Sequence, residues 1–230
     1  IGPHLEQILK ACTRCRDLVT QILTFSRQRK QEKKPVSVIP IVKEALKLLR
    51  SSIPSTIEIR QHYSAPQDTV VADPTQVHQM LINLCTNAVH AMRERQGILE
   101  VLVSRRELSA SDEARNPDAK EGVYLQLTVR DTGEGIDPAV RDRIFDPFFT
   151  TKRIGEGTGL GLSVVYGIVK DCDGIITVES EREKGTDFSI FLPLIDSDGV
   201  PSQEEDLQIP EGKGRILYVD DEETLGSAGH

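Results

Sequence analysis

The chain has 230 residues, of which 38% are hydrophobic and 28% are charged, and its formal net charge is −8. This composition is typical of soluble globular protein, and no apolar run approaches the roughly 18–20 residues that a membrane-spanning helix needs. Residues 1–50 carry 11 Lys and Arg against four Asp and Glu, so the remainder is strongly acidic. We therefore expect neither nucleic acid nor a membrane among the partners of this chain.

The cysteine content and the N-terminal sequence indicate the cellular compartment that we expect for this chain. The four cysteines are at positions 12, 15, 85 and 172, and a chain this long can bury a core without disulfides. Cys12 and Cys15 form one C-x-x-C pair without a second pair to complete a zinc site, which favours simple helical spacing. The sequence starts at Ile1 without a signal-peptide pattern, so we expect a cytoplasmic fragment of a longer protein.

Residues 3–31 are predicted to form one long helix. Its apolar residues recur three and four positions apart, as in a bundle seam. They are Leu5, Ile8, Cys12, Cys15, Val19 and Ile22. Further leucines widen this face, so the helix needs several helical neighbours. A missing partner helix, a second copy of the chain, or both would supply them.

The next segment predicts a helix and two short strands. Pro35 ends the first helix, because proline disfavours helix at the residue before it. A second helix is predicted at about 38–51, where apolar residues share one face. Strands are expected at Ile57–Ile59 and Val70–Val71.

The middle of the chain predicts a long helix followed by two strands. Asp73-Pro74 is typical of a helix start, with aspartate at the N-cap and proline at the first helical position. The helix is expected to run to about residue 95. Strands are predicted at 98–106 and 123–130, joined by a polar surface loop at 108–121.

A glycine-rich stretch at 155–161 precedes a helix predicted at about 161–172. A hairpin is expected next, with strands near 175–180 and 187–193 and a turn at Lys184-Gly185.

The C-terminal part of the chain differs in composition. Residues 194–213 are acidic and rich in Pro, Ser and Gly, which is typical of a linker. Arg215–Val219 then predicts a new strand that ends in Asp220-Asp221.

Asn83 and Asn87 are the first candidate functional residues. Four positions apart on the predicted helix, they project from the same face. An amide oxygen is a good ligand for Mg²⁺, which accepts oxygen donors alongside substrate phosphates. The alternative is that both amides cap or bridge neighbouring backbone.

The second candidate is the run D-T-G-E-G-I at 131–136, directly after a strand. An aspartate at a strand end can accept a hydrogen bond from an exocyclic amine, such as that of adenine. Gly133 and Gly135 would let a flat ring approach the backbone closely. Taken alone, this pattern also fits an ordinary tight loop.

The third candidate joins F-D-P-F-F-T-T-K at 145–152 to G-E-G-T-G-L-G-L at 155–162. Four glycines that open a helix can form a flexible lid, whose amides meet phosphates at the positive helix terminus. The spacing fits neither a P-loop nor a dinucleotide-binding fingerprint. The three phenylalanines are expected to be core anchors.

Together these motifs resemble the histidine-kinase branch of the GHKL ATPase superfamily, which includes gyrase and Hsp90. The order is N-x-x-x-N-A, D-x-G-x-G-I, F-D-P-F-F and G-x-G-x-G-L-G-L, over about residues 70–193, and it closes with G-T-D-F at 185–188. The resemblance implies an α+β fold, a two-layer α/β sandwich of the Bergerat type preceded by a long dimerising helix. It also implies ATP and Mg²⁺ as ligands.

The resemblance carries roles onto matching positions of this chain. Asn87 would coordinate Mg²⁺ and Asp131 would hold adenine, while Lys152 would approach phosphate and act with Asn83 in catalysis. The remaining nucleotide-binding positions would shape the base pocket and the lid. They are Gly133, Gly135, Ile136, Phe149, Gly157, Thr158, Gly159, Leu160, Gly161 and Thr186.

The same resemblance predicts four segments. Residues 1–34 would be the second helix of a dimerisation and phosphotransfer hairpin, 35–193 the ATP-binding domain, 194–213 a linker, and 214–230 the start of a receiver domain. A homodimer and a response-regulator receiver domain are the partners implied, as in a hybrid kinase.

Two departures from the family pattern stand out. The phosphoacceptor motif, histidine followed by an acidic residue, does not occur, since His4 is followed by Leu5. Asp173-Gly174 replaces a common Gly-Gly, which affects a turn. The acceptor histidine is therefore expected outside this chain.

Three functions remain open at this point. The first is a sensor histidine kinase that transfers the ATP γ-phosphoryl group to histidine. The second is a gyrase- or Hsp90-like ATPase, but those relatives carry a glutamate base where this chain has Asn83, and an amide cannot take a proton from water. The third is a non-catalytic nucleotide-sensing module.

Overall fold

The computed structural model describes residues 33–93, 95–109, 120–152 and 157–195. The predicted N-terminal helix, the linker beyond Ile195 and the strand at 215–219 lie outside these ranges. Within them the chain forms seven strands and three α-helices. The strands are β1 (Lys34–Ser37), β2 (Ile57–Tyr63), β3 (Thr69–Ala72), β4 (Gly97–Leu108), β5 (Gly122–Asp131), β6 (Ile175–Glu181) and β7 (Gly185–Pro193). The α-helices are α1 (Val38–Arg50), α2 (Pro74–Ala91) and α3 (Gly161–Asp171).

Five of the strands form one mixed sheet in the order β2-β4-β5-β7-β6. The β2–β4 pair is parallel, and the other three pairs are antiparallel. Alternate residues of β4, such as Leu99, Val101 and Val103, are fully buried, because side chains along a strand point alternately to its two faces. One face of the sheet therefore forms one side of the hydrophobic core.

The helices cover this apolar face. The buried side of α2 includes Met80, Leu81 and Leu84, and it packs against both other helices as well as the sheet. The opposite face of the sheet is polar, where Arg130 forms ion pairs with Asp187 and Glu100. The architecture is an α+β fold of two layers, which confirms the predicted fold class.

The start of α2 follows the sequence prediction. Asp73 Oδ1 accepts a hydrogen bond from the Thr75 backbone N–H at 2.8 Å, and Pro74 occupies the first helical position. The helix ends at Ala91, four residues earlier than predicted. The chain turns at Met92 to enter β4, and a Cβ added at Gly97 would lie 2.3 Å from Met92 Sδ. Helical periodicity does not reveal this close approach.

Two short elements were not predicted. β1 pairs antiparallel with β3 in a separate two-stranded sheet, and a 3-10 helix forms at Pro138–Arg143. Elements of four to six residues are too short to show a hydrophobic period. Leu194 pairs with Val70 of β3, so the first two residues of the predicted linker remain bonded to the domain. None of the described helices is long and apolar enough to cross a bilayer.

Candidate nucleotide-binding site

Asp131 lies at the last position of β5 and is only 5% exposed. Its Oδ1 accepts the Gly133 backbone N–H at 2.8 Å, and the Thr186 backbone N–H of the neighbouring strand β7 also donates to the carboxylate. Burial raises the pKa of Asp131 to about 6, and these two hydrogen bonds partly oppose the shift. A carboxylate held this way keeps lone pairs that can accept from a ligand amine.

The loop after Asp131 is clamped from two sides. The Glu134 backbone N–H donates to Ala91 O at the end of α2, and Glu134 O accepts from the Glu183 N–H of the β6–β7 hairpin. Gly135 has φ of 70°, and a Cβ there would lie 2.2 Å from Glu181 O. Only glycine fits such a position, so the loop stays close to its neighbours and presents bare backbone.

Ser180 of β6 joins the pieces of this pocket and was missed by the sequence analysis. Its Oγ accepts the Ile136 backbone N–H at 2.8 Å, donates to Gly185 O at 3.0 Å, and lies 2.9 Å from Thr186 Oγ1. The hairpin register pairs Ser180 with Thr186. The predicted two-residue turn at Lys184-Gly185 would pair Ser180 with Ser189, but the observed loop is 182–184 and Gly185 already belongs to β7. The predicted turn was therefore misplaced, and it could not have identified Ser180.

Asn83 and Asn87 face the beginning of α3, as their spacing predicts. Asn87 Oδ1 accepts a hydrogen bond from Lys152 Nζ at 3.2 Å. Asn83 Nδ2 donates to Gly161 O at 3.3 Å, and a Cβ at Gly161 would lie 3.8 Å from Asn87 Nδ2. The two amides and the lysine therefore gather at one helix terminus.

The N-terminus of α3 lacks a capping side chain among the described residues. Leu160 is its N-cap, and the Leu160 N–H itself donates weakly to Thr158 Oγ1 at 3.4 Å. The first backbone N–H groups of a helix have no intrahelical acceptor, and with the helix dipole they favour an anion. Gly157 adjoins this terminus, since a Cβ there would lie 3.0 Å from Lys152 Cδ. This end of α3 is suited to phosphate.

The aromatic residues of the F-D-P-F-F run divide into two groups. Phe145 and Phe149 pack against the core, as expected, and the Arg143 guanidinium lies 4.6 Å from the Phe149 ring centroid. Phe148 is 69% exposed, so its assignment as a core anchor was wrong. Its φ of 66° turns it outward, and Gly159, with φ of 67°, packs directly on its backbone. Only a residue without a side chain allows that approach.

The predicted residues thus gather in two groups that α2 connects. Ala91, which holds the loop after Asp131, follows Asn87 by four positions on one face of the helix, a rise of about 6 Å. Asp131, Gly133, Gly135, Ile136 and Thr186 form one group. The other contains Asn83, Asn87, Lys152, Gly157 and the start of α3. The residues 153–156 of the predicted lid lie outside the described ranges.

The side-chain atoms available as ligands limit which metal ion the site could hold. Among the described residues, no group of three or more His, Cys, Asp or Glu could hold a metal ion. The Asn87 oxygen faces a position that already accommodates a cation, the Lys152 ammonium. One hard oxygen suits a divalent ion that takes its other oxygens from phosphates and water, as Mg²⁺ does.

Comparisons with known proteins agree with this geometry. The family described as histidine kinase-, DNA gyrase B-, and HSP90-like ATPase matches residues 72–196, more than half of the chain. The chain is 35% identical to sensor kinase CckA of Brucella abortus (strain 2308) over 238 residues, which cover 99% of this chain and 25% of CckA. It is 34% identical to sensor histidine kinase ZraS of Salmonella typhimurium over 195 residues, covering 84% of this chain and 38% of ZraS.

Solved structures show the same relationship. Histidine kinase ThkA, in complex with response regulator protein TrrA, has a TM-score of 0.61 and 25% identity, covering 83% of this chain and 50% of that one. Full-length ShkA in complex with AMPPNP has a TM-score of 0.60 and 26% identity, covering 78% of this chain and 36% of ShkA. The chain spans only a quarter of CckA and 38% of ZraS. The chain therefore belongs to the histidine kinase-, DNA gyrase B- and HSP90-like ATPase family.

Proposed function

We propose that this chain holds Mg·ATP and supplies its γ-phosphoryl group to a histidine that lies outside residues 1–230. The observation that carries the proposal is the joint placement of a buried carboxylate, Asp131, and a cation-facing amide, Asn87, on either side of the last turn of α2. The solved structure of full-length ShkA, which resembles this chain, is a complex with AMPPNP.

Adenine would bind at the Asp131 side. The carboxylate accepts a hydrogen bond from the exocyclic amine, and Gly133 and Gly135 leave room for the ring. Ile136 and Thr186, both tied to Ser180, form the rest of the pocket. Guanine carries a carbonyl where adenine carries its amine, so a purely accepting carboxylate disfavours it.

The triphosphate would bind at the Asn87 side. The uncapped N-terminus of α3 and the Lys152 ammonium provide positive charge, and residues 157–161 close over the phosphates as a lid, with Phe149 behind it. Asn87 would hold Mg²⁺, which when bound neutralises charge on the phosphates. Phosphoryl transfer depends mainly on such positioning and charge neutralisation. An imidazole nitrogen attacks phosphorus, the bond to the β–γ bridging oxygen breaks, and ADP leaves.

The flanking segments extend the proposal to partners. Residues 3–31 would pair with a second copy as part of a dimerisation hairpin, and residues 214–230 would begin a receiver domain. ThkA forms a complex with the response regulator TrrA, and a receiver domain is the corresponding partner here. A cytoplasmic location suits both ATP and such a partner.

The ATPase alternative is disfavoured by Asn83. An amide cannot act as a general base, and the Asn83 Nδ2 donates to Gly161 O, which suits a role in positioning α3. A positioned base typically contributes about 10²–10⁴-fold to such a rate.

Calorimetric titration with Mg·ATP and incubation with γ-labelled ATP test the proposal together. We expect binding that weakens in Asn87→Ala, with no acid-labile phosphohistidine on the chain itself. A longer version of the protein with an upstream acceptor histidine should become labelled. Rapid multiple-turnover hydrolysis would support the ATPase instead, and absence of nucleotide binding would contradict both.

A further inference from the structure

A groove of about 1040 Å³ lies between α1 and the outer edge of β2, and it extends past the start of β4 to Thr132, the residue after Asp131. Its walls come from two different kinds of structure. The helix contributes Lys43, Leu46, Lys47 and Arg50, and the strand contributes Ile57, Glu58, Ile59 and Gln61. Consecutive strand residues point to opposite faces, so a lining that includes Ile57, Glu58 and Ile59 follows the edge of the strand. We call this feature the α1–β2 groove.

The edge that faces the groove has main-chain groups available for pairing. β2 is an outer strand of the five-stranded sheet, with β4 on its inner side. Thr56 O accepts the Gly97 N–H, and the Ser64 N–H donates to Val103 O, so these even-numbered residues turn toward β4. Peptide groups alternate sides along a strand, and the odd-numbered residues Ile57, Ile59 and Gln61 therefore turn toward the groove.

Two contacts mark the ends of the groove. Arg50 Nη1 donates to Ile57 O at 3.4 Å, which shows directly that this carbonyl faces the helix. At the other end, Lys43 Nζ lies 5.4 Å from the Tyr63 ring centroid. The strand between these contacts spans about 20 Å at roughly 3.3 Å per residue, which suits a segment of about six extended residues.

The charge of the groove is positive in a chain whose net charge is −8. Lys43, Lys47 and Arg50 are exposed and recur four and three positions apart, so they form one row along α1. Glu58, the acidic residue of the lining, is already paired with Arg60 at 2.9 Å. A ligand in the groove therefore meets three cations and an open strand edge.

We propose that the α1–β2 groove docks an extended acidic segment of a partner protein, which adds a strand to β2. The Ile57 N–H and carbonyl are already bonded to Pro54 O and to Arg50, so the main chain of the segment would pair with Ile59 and Gln61. Its acidic side chains would reach the row on α1. Main-chain pairing of this kind supplies affinity, and side chains supply specificity. The open edge favours a peptide over a nucleic acid, because a nucleic acid has no peptide backbone that could pair with β2.

Fluorescence anisotropy with a labelled hexapeptide of alternating Glu and Val tests the docking. We expect saturable binding to the whole chain, at least tenfold weaker for the double variant Lys43→Glu/Lys47→Glu and unchanged for Arg105→Glu, an exposed cation on β4. All three proteins should keep the same ADP affinity and melting temperature. Equal peptide affinity in the groove variant and the control would overturn the proposal.

Two further measurements separate strand addition from charge attraction. The same peptide with alternate backbone nitrogens methylated should bind at least tenfold more weakly, because methylation removes its donors. Amide exchange at Ile59 and Gln61 should slow when the unmethylated peptide binds. Equal binding of both peptides, or tighter binding of a single-stranded oligonucleotide than of the peptide, would overturn the proposal.

Discussion

At the residue scale, Asp131 combines two demands that oppose each other. An adenine amine needs an ionised acceptor, yet burial disfavours that charge and raises the Asp131 pKa from 3.8 to about 6. Two backbone N–H donors keep the carboxylate ionised near neutral pH. The site is therefore maintained at the expense of the stability of the fold.

The variant Asp131→Asn should separate these demands. For a pKa shift of this size, removing the buried charge should raise the free energy of unfolding by up to about 3 kcal/mol. Part of this gain is lost, because the amide turns its NH₂ group toward one of the backbone N–H donors. We expect a net stabilisation of about 1–2 kcal/mol at pH 7 without nucleotide, or roughly 3–6 °C in melting temperature. ADP affinity should fall at least tenfold, with less preference over GDP. A variant that melts lower and binds ADP normally would contradict both assignments.

The pH dependence follows from the same shift. Because the folded-state pKa lies above the unfolded value, the folded chain binds the Asp131 proton more tightly, and this residue's contribution to stability rises as pH falls through about 6 toward 4. ADP binding should behave oppositely, about tenfold weaker at pH 5 than at pH 7. Titrations of wild type and Asp131→Asn check this, since the variant should lack the pH step.

Lys152 offers a prediction on the phosphate side. Its Nζ donates to Asn87 Oδ1, which brings positive charge to the predicted phosphate position. Lys152→Ala should weaken ATP binding about tenfold and ADP binding less, because ATP brings the more negative phosphate chain. Lys152→Arg should retain most of the ATP affinity. Equal losses for ATP and ADP in calorimetry would place Lys152 away from the terminal phosphate.

At the scale of elements, the glycine loop depends on close backbone contacts, and α3 provides a matched control. Gly135→Ala forces a Cβ to within 2.2 Å of Glu181 O at a positive φ, so we expect a loss of at least 2 kcal/mol and of ADP binding. Gly167 lies inside α3 with nothing within 4 Å of its added Cβ. Gly167→Ala should stabilise the chain by about 0.5–1 kcal/mol. Thermal melts with and without ADP distinguish the two.

The elements also show what the sequence could and could not predict. α2 was predictable because Asp73-Pro74 marks its start and its apolar residues keep a helical period. Its end was not, because the Ala91 carbonyl there accepts a hydrogen bond from Glu134, which is distant in sequence. The exposure of Phe148 likewise follows from a positive φ, which apolar character alone does not indicate.

At the scale of the whole molecule, the motifs predict both halves of the candidate site, because Asn87 and Asp131 belong to patterns with fixed spacing. The connection between the halves was beyond sequence reasoning. It consists of backbone contacts, such as Glu134 N–H to Ala91 O, that any residue type can make. Ser180 was missed for a related reason, since a single hydroxyl in a strand carries no signal without the register.

Assembly gives a prediction at this scale. If residues 3–31 pair with a second copy, Val19→Asp places a charge in the apolar seam and should shift the chain toward monomer in sedimentation experiments. ADP affinity should not change, because all the residues of the proposed nucleotide site lie within residues 72–193. The substitution Arg16→Asp, at a position outside the predicted apolar seam, serves as the control for added negative charge. A Val19→Asp protein that remains as associated as wild type would contradict this mode of assembly.

The two-stranded sheet has a mechanical consequence. β1 pairs with all four residues of β3, and Leu194 and Ile195, which follow β7, bond to Val70 and Thr69 of that same strand. The chain thus enters and leaves the domain at neighbouring points. A pull between its two ends would load β3 and its few hydrogen bonds first, while the Asp131 loop and the start of α3 lie outside the direct line of force. A pull on its flanking segments should therefore open β3 before it disturbs the proposed nucleotide contacts.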